Sequence, residues 1–583
     1  MKKTVLTSVI IFLSAFVSSA ISQPYWFKDQ QEPAASGVTI PASLTAVQQE
    51  NLNVLCRVWG VVKYFHPKVA NGERNADKAL FAIMPEALNK GRNGFQRALC
   101  KWIDALGYIP TLPDNPVPEG FFMQNTMEWM KQPPVGYDLG ERLGYIAANN
   151  YRQDNAYYMH RNPPRMGSNP DLSNEFRYKN VKGEDDGMRM LALFRYWNAI
   201  EYIYPSKYLT ADNWDSVLLK FIPRFAAAET DKAYRMLCVE LAATIHDTHA
   251  NNISADSVFI QSIGAYTIPV WFADVQDSIV AFFYSYDSLK NNYPIQLGDR
   301  LIAVNGRNVQ DLLQEVKPYI TASNRSSFMN HAINRIKRST QPDNVFTVVR
   351  GMDTLQLKIK SILSSSIIPA STRNHISATY PMYRMIGNDI GYINIGRIKA
   401  DSLPAIFKAL ANTKGLIIDQ RNYPSDVVMY ALPQYIKPDA SPFARFSRVD
   451  YTTPGRFIIG GNAESGSDYP DYYKGKIVIL AYPLSQSQAE FTMMSFRTAP
   501  NAIIMGSQTS GADGNVTNIF LPGGMASYMS GLGVYHPDKK PTQGIGIVPD
   551  IVVKPTITGI RRGEDELLDA AIKYINTNEP KKN

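Results

Sequence analysis

The chain has 583 residues, 45% of them apolar and 19% charged, with a formal net charge of +8. That length exceeds a single hydrophobic core and calls for roughly three or four domains. Lys2, Lys3, Lys581 and Lys582 contribute to the charge and the rest is scattered, so no basic stripe announces a nucleic-acid partner.

The chain opens with MKK, an apolar run from Val5 to Val17, and the small residues of SSAIS. This pattern predicts a cleavable signal peptide over residues 1–22 and a periplasmic or secreted mature protein. No other apolar run is long enough to span a bilayer, and no cysteine follows the leader to carry a lipid. Cys56, Cys100 and Cys238 lie in apolar, helical contexts that suit free thiols; they allow one disulfide and no disulfide framework. No Cys or His cluster has ligand spacing, and the HDTH of His246 and His249 lacks a carboxylate on the same face, so neither metal nor cofactor is expected.

Two predicted helical regions follow, over residues 23–165 and 166–260. LCRVWGVVKYFHP (55–67) and LFRYWNAIEYIYP (193–205) align without slippage, pairing Trp59 with Trp197, Tyr64 with Tyr202, Pro67 with Pro205 and Cys100 with Cys238, each 138 positions apart (197 − 59). In-register repeats of this kind predict a duplicated helical unit. The copies diverge where they end. The later one reaches Asp247, Thr248 and His249 just past an amphipathic stretch, while the position equivalent to His249 in the earlier one is Thr111.

From 261 to 365 the texture changes to strands and turns, with a Gly-Asp turn and an Asn-Gly turn around a short apolar strand. LGD (Leu297–Asp299) and VNG (Val304–Gly306) resemble the turns of a PDZ domain, which implies peptide capture by strand addition near Leu297 and Gly298. A structural β-module without a ligand groove is the alternative.

Residues 366–583 alternate buried-strand runs (IGYINIG, KGLIIDQRN, GKIVILAYP, NAIIMGS) with helical segments, the pattern of an α/β unit with a parallel sheet. Ligands of such sheets gather at the carboxyl ends of the strands. At one such end stands AYPLSQSQAEF, which places Ser487 at a helix start, in a positive field that suits a nucleophile. Ser487 and Glu490 are also spaced as a capping box, a purely structural device.

Ser487-Gln488-Ala489-Glu490, with GLIIDQRNYPS, IMGSQTSGADGN, LPGG and GIGIVPDI around it, resembles the C-terminal processing and tricorn-type serine peptidases, family forty-one of the serine peptidases. Trp59–Pro67 is similar to a segment of exported Bacteroidetes-type members. The resemblance implies a multidomain α+β fold: a duplicated helical region, a PDZ-like β-module and an α/β core of the ClpP/crotonase kind. The lysine of the tail-specific branch would fall at position 512, which is Ala512. The tricorn-type branch uses a histidine beside a small hydroxyl residue, and Thr248-His249 matches that element. Imidazole suits a general base near neutral pH. Gln543 stands where the tricorn-type carboxylate would orient the histidine, with Asp247 as the alternative, although a next-but-one neighbour rarely points the right way. The implied oxyanion hole joins the amide of Gln488 to one from the Asn422–Ser425 turn, at Ser425. The expectation is an exported serine endopeptidase acting on peptides or protein C-terminal regions, without a stable membrane span and with its oligomeric state open. The alternative is a peptide-binding pseudo-peptidase.

Overall fold

Helix caps and apolar stripes set out the N-terminal half. In the computed structural model, which describes residues 31–163, 167–210, 212–289, 291–367 and 380–577, the predicted leader lies outside the described residues. Thr45 caps Ala46–Phe65, Asn75 caps Ala76–Asn89, Asn213 caps Trp214–Ala226 and Thr230 caps Asp231–Ala243, each side chain accepting a backbone N–H of the first turn. The helices Ala46–Phe65 and Asp186–Ile203 end 138 residues apart, and Ala76–Asn89 and Trp214–Ala226 start 138 apart. Arg92–Ala105 and Asp231–Ala243 end at the same spacing. The Trp59 indole donates to Ala76 O at 2.8 Å, and the Trp197 indole donates to Trp214 O at 2.9 Å. Between these helices Lys63, Glu175, Arg195 and Asp77 form a buried ion network, with the Lys63 ammonium among the rings of Trp59, Tyr64 and Tyr158. The three cysteines are unpaired, so the one disulfide that the sequence allowed is not formed.

The stretch from Tyr266 to Leu363 forms an antiparallel β-module. Its strands run in the order Asp353–Lys360, Asp343–Arg350, Arg300–Val304, Ser278–Tyr284, Val270–Val275, leaving Val270–Val275 at an edge. Helices Val309–Val316 and Arg325–Ile336 flank it.

The C-terminal unit is built on a sheet in the order Tyr383–Ile386, Ile390–Asn394, Gly415–Asp419, Lys476–Ala481, Ala502–Gly506, Ile551–Val552. All neighbours are parallel except the antiparallel first pair. The central strands are buried along their length, save Lys476 at the start of one, because apolar clusters cover both faces. The expected α/β core is thus present, inside a mixed helix and sheet architecture.

Two devices join the helical region to this core. Phe121–Gln124 pairs with Arg456–Ser465, adding a strand to a sheet that otherwise belongs to the core. The hairpin Val516–Leu521/Met525–Ser530 turns Ile519, Leu521, Met525 and Met529 into the same apolar core as the helices. Polar contacts fasten it there: Tyr234 Oη donates to Pro522 O at 2.8 Å, and Asn252 bonds Ala526 O and Tyr528 N.

Candidate active site

The strand Lys476–Ala481 leads into a tight turn, and the helix Gln488–Phe496 starts just after Ser487. Ser487 takes φ +57° and ψ −125°, a conformation that costs a non-glycine residue energy and persists only where its surroundings impose it. They do so through Glu490. Its buried carboxylate accepts from Ser487 N (3.1 Å), Ala512 N (3.1 Å), Gly511 N (2.8 Å) and Thr509 Oγ1 (2.5 Å), while Ser487 N also reaches Ala512 O at 2.8 Å. Burial pushes the Glu490 carboxyl up from its ordinary range, against the pull of these donors. Beside it, burial and then the charge of Glu490 raise Asp513 well above its ordinary value. Gly546, at φ +73°, closes the cluster: a Cβ there would come within 2.7 Å of Glu490 Oε1 and 2.8 Å of Gly511 N. The acidic residue of the predicted capping box therefore ties the 509–512 loop to the back of the serine turn. Ala512, at the position of the absent lysine, is part of that tie.

Thr248 and His249 open a 3-10 stretch that follows the helix Asp231–Ala243, after His246 reverses the chain at φ +51°. His249 is buried, and its Nδ1 lies 2.9 Å from Ser530 Oγ and 3.4 Å from Asp247 Oδ1. Asp247 is fully buried; it accepts from His249 N at 3.0 Å and from Ser530 N at 2.7 Å. Burial pushes its carboxyl up, but the imidazole and the two amides outweigh that and hold it below its ordinary value. Thr248 faces away from the ring, exchanging hydrogen bonds with Ser323: Thr248 N and Oγ1 reach Ser323 Oγ at 2.9 and 3.0 Å, and Ser323 N reaches Thr248 Oγ1 at 2.9 Å.

Several expected partners stand elsewhere. Gln543 makes no hydrogen bond to His249 among the described residues; its Oε1 is 3.5 Å from Ser530 Oγ and its Nε2 is 3.4 Å from Ser323 Oγ, so it reaches the ring through Ser530. Asp247, the next-but-one neighbour, does face the ring, because its carboxylate folds back onto the His249 amide in an Asx turn. Ser530 carries no signal in its own stretch of sequence, and the hairpin brings it across 281 residues. The backbone N–H of Gln488 has no acceptor among the described residues and stands at the helix start, where an oxyanion donor would serve, while its side-chain Nε2 donates to Asp426 O at 2.9 Å. The Ser425 amide is unavailable for that purpose, since it donates to Ile395 O at 3.2 Å. Pro424 beside it has no N–H.

Ser487 and His249 line one cavity of about 1110 Å³, together with parts of the helical region, the β-module and the core. Among the described residues no hydrogen bond joins the two side chains and no lysine lines the cavity. Leu297 and Gly298 are not part of this cavity. Gly298 N donates to Ala281 O at 2.8 Å, and its carbonyl accepts from Arg561 Nη2 at 3.2 Å, so the loop is docked on the helix Ile557–Arg562. No group of three or more His, Cys, Asp or Glu residues among those described is placed to hold a metal ion. No helix among them is long and apolar enough to cross a membrane.

Residues 389–553 match the model of peptidase family S41. No curated protein matches the chain. Among solved structures, mature CPAF shares 13% identity at a TM-score of 0.52, over 68% of this chain and 99% of that one. A putative peptidase from Parabacteroides merdae shares 15% at 0.41, over 68% and 98%. The tricorn protease shares 16% at 0.33, over 67% of this chain and 37% of that one. At these identities the CPAF likeness speaks for the fold, and the other two carry no argument. The match to peptidase family S41 makes the protein a serine-type peptidase.

Proposed function

We propose that the protein is an exported endopeptidase that cleaves peptides or protein C-terminal regions through an acyl-enzyme, with Ser487 as nucleophile and His249 as general base. The observation that carries this reading is the convergence of the two residues on one cavity, with Nδ1 of His249 engaged by Ser530 and Asp247. That engagement leaves Nε2 to take the proton from Ser487 Oγ as the oxygen attacks the scissile carbonyl. The Gln488 amide stabilises the oxyanion that forms. The C–N bond then breaks, imidazolium returns the proton to the departing amine, and water hydrolyses the acyl ester by the same route in reverse. Asp247, buried and ionised, stabilises the imidazolium and fixes its orientation, the part an aspartate plays in Ser-His-Asp sites.

The module from Tyr266 to Leu363 is read as PDZ-like, with the edge strand Val270–Val275 as the place where a peptide adds. The helical region is read as a duplicated unit, supported by the common 138-residue spacing of its helix ends and by the matching Trp59 and Trp197 bonds. Export rests on the charged, apolar and small-residue pattern of residues 1–22, and N-terminal sequencing of native protein that returned Met1 would count against it.

The second reading, a pseudo-peptidase, is favoured by the engaged Ser425 amide, which leaves one assigned oxyanion donor. A fluorophosphonate probe separates the two. The peptidase reading expects covalent labelling at Ser487 that His249→Ala abolishes. Absence of labelling in folded wild-type protein favours the pseudo-peptidase.

A further inference from the structure

Part of the wall of the cavity that Ser487 and His249 line comes from the β-module, through residues of the helix Arg325–Ile336. His331 on that helix lines the cavity, and its Nδ1 lies 3.1 Å from Asn251 Nδ2. The Asn251 NH₂ group is the one that faces the imidazole, while the Ser254 hydroxyl donates to the Asn251 backbone carbonyl at 2.6 Å and lies 3.4 Å from Asn251 Oδ1. Nδ1 is then an acceptor, and the ring proton is on Nε2. Nε2 has no hydrogen-bond partner among the described residues. Burial, then the nearby charge of Arg335, pushes His331 down to about 4, so the ring is neutral near pH 7 and keeps this single N–H.

The donor is also held in place relative to the chemistry. Asn251 is two residues beyond His249, and Thr248 is bonded three ways to Ser323, just ahead of the helix that carries His331. Asn330 and Asn334 line the cavity from the same helix, adding neutral amides to this wall. A fixed, uncharged N–H donor in a substrate cavity matches a peptide carbonyl better than a carboxylate, which a cation would bind more strongly.

We infer that His331 is a substrate-positioning residue: its Nε2–H, fixed by Asn251, donates to a backbone carbonyl of the bound peptide at a subsite away from the scissile bond. The inference rests on the peptidase reading above and adds to it a binding residue supplied by the β-module.

The test uses the full-length protein and fluorescein-labelled β-casein. Loss of one neutral hydrogen bond made equally in ground and transition states is expected to raise KM about three- to tenfold in His331→Ala, with kcat changed by less than about twofold. His331→Gln carries an amide N–H out to the place of Nε2 and is expected to restore KM. His331→Asn ends near the place of Nδ1 and is expected not to. An unchanged KM in folded His331→Ala, or rescue by Asn as complete as that by Gln, overturns the assignment. If wild-type protein does not cleave the casein, its affinity is compared in Ser487→Ala protein with and without His331→Ala. A loss of affinity there keeps the subsite and removes the peptidase reading; equal affinity, or no binding, removes both.

Discussion

Glu490→Gln tests the claim that the serine turn is held from behind. The glutamate accepts two donors on each oxygen: Thr509 Oγ1 and Gly511 N on Oε1, Ser487 N and Ala512 N on Oε2. Glutamine keeps the shape but turns one oxygen into an NH₂ group, so two of the four donors must face another donor. Ser487 N has Ala512 O as a second acceptor, which leaves one or two orphaned groups in either orientation of the amide. At about 1–3 kcal/mol for each unsatisfied buried group, and with some return because a neutral amide is easier to bury than a carboxylate, the net loss is about 1–4 kcal/mol. That lowers Tm by several degrees. The expected activity loss is larger: a serine turn displaced by about 1 Å lowers kcat/KM by about 100-fold. Since burial raises the Glu490 carboxyl above 4.5, the folded state binds the proton more tightly than the unfolded one. Its contribution is fully present below that value and declines as pH rises, so the stability gap between wild type and Glu490→Gln narrows toward alkaline pH. The assay pairs thermal melts from pH 4 to 8 with kcat/KM on a quenched peptide. A Glu490→Gln enzyme with wild-type Tm and kcat/KM would refute the reasoning.

Ser487→Ala and His249→Ala are each expected to remove nearly all turnover, and the double variant to be little worse than either, because groups acting as a unit are non-additive; additive losses in folded protein would break the pair. Asp247→Asn is expected to lower kcat/KM by about 100-fold or more, since it removes the charge beside the ring, while Gln543→Ala, which acts through Ser530, costs far less; the opposite ranking would return the orienting role to Gln543. Lys337 is buried, donates to Val270 O at 2.8 Å, and has its pKa pushed down to about 7 by burial, then by Arg338. The unfolded chain therefore binds the proton more tightly between pH 7 and 10.5, and wild-type stability should rise with pH across that window; Lys337→Met should flatten the rise, and an unchanged pH profile in chemical denaturation would show that Lys337 does not carry it.

The setting of Ser487 is legible because it is a local pattern, a buried strand, a turn and a helix start within a dozen residues. His249 stands out in the sequence through its contrast with Thr111 in the other helical stretch and through the resemblance of Thr248-His249 to a known element, and the structure puts it on the same cavity as Ser487. What surrounds them was harder to read. Asp247 looked badly placed because neighbours two apart diverge in regular structure, but His246 at φ +51° and the 3-10 stretch after it break that regularity. Ser530 reaches the ring through a hairpin whose docking depends on packing across the whole chain, which no local pattern encodes. Position in a motif points to Ser425, but its amide donates to Ile395 O, just past the end of the strand Ile390–Asn394.

The hairpin also bears on how the protein can be divided and inherited. The stretch from 389 to 553 contains Ser487 and Ser530 but neither His249 nor Asp247. A fragment cut to those limits would keep the proposed nucleophile and lose its proposed base. It would also bare Ile519, Leu521, Met525 and Met529, which in the whole chain are covered by the helices, and a patch of that kind invites aggregation. The proposed pair is thus not portable with the sheet. A lineage that exchanged or trimmed the helical units would have to replace the base and the cover for the hairpin in the same step.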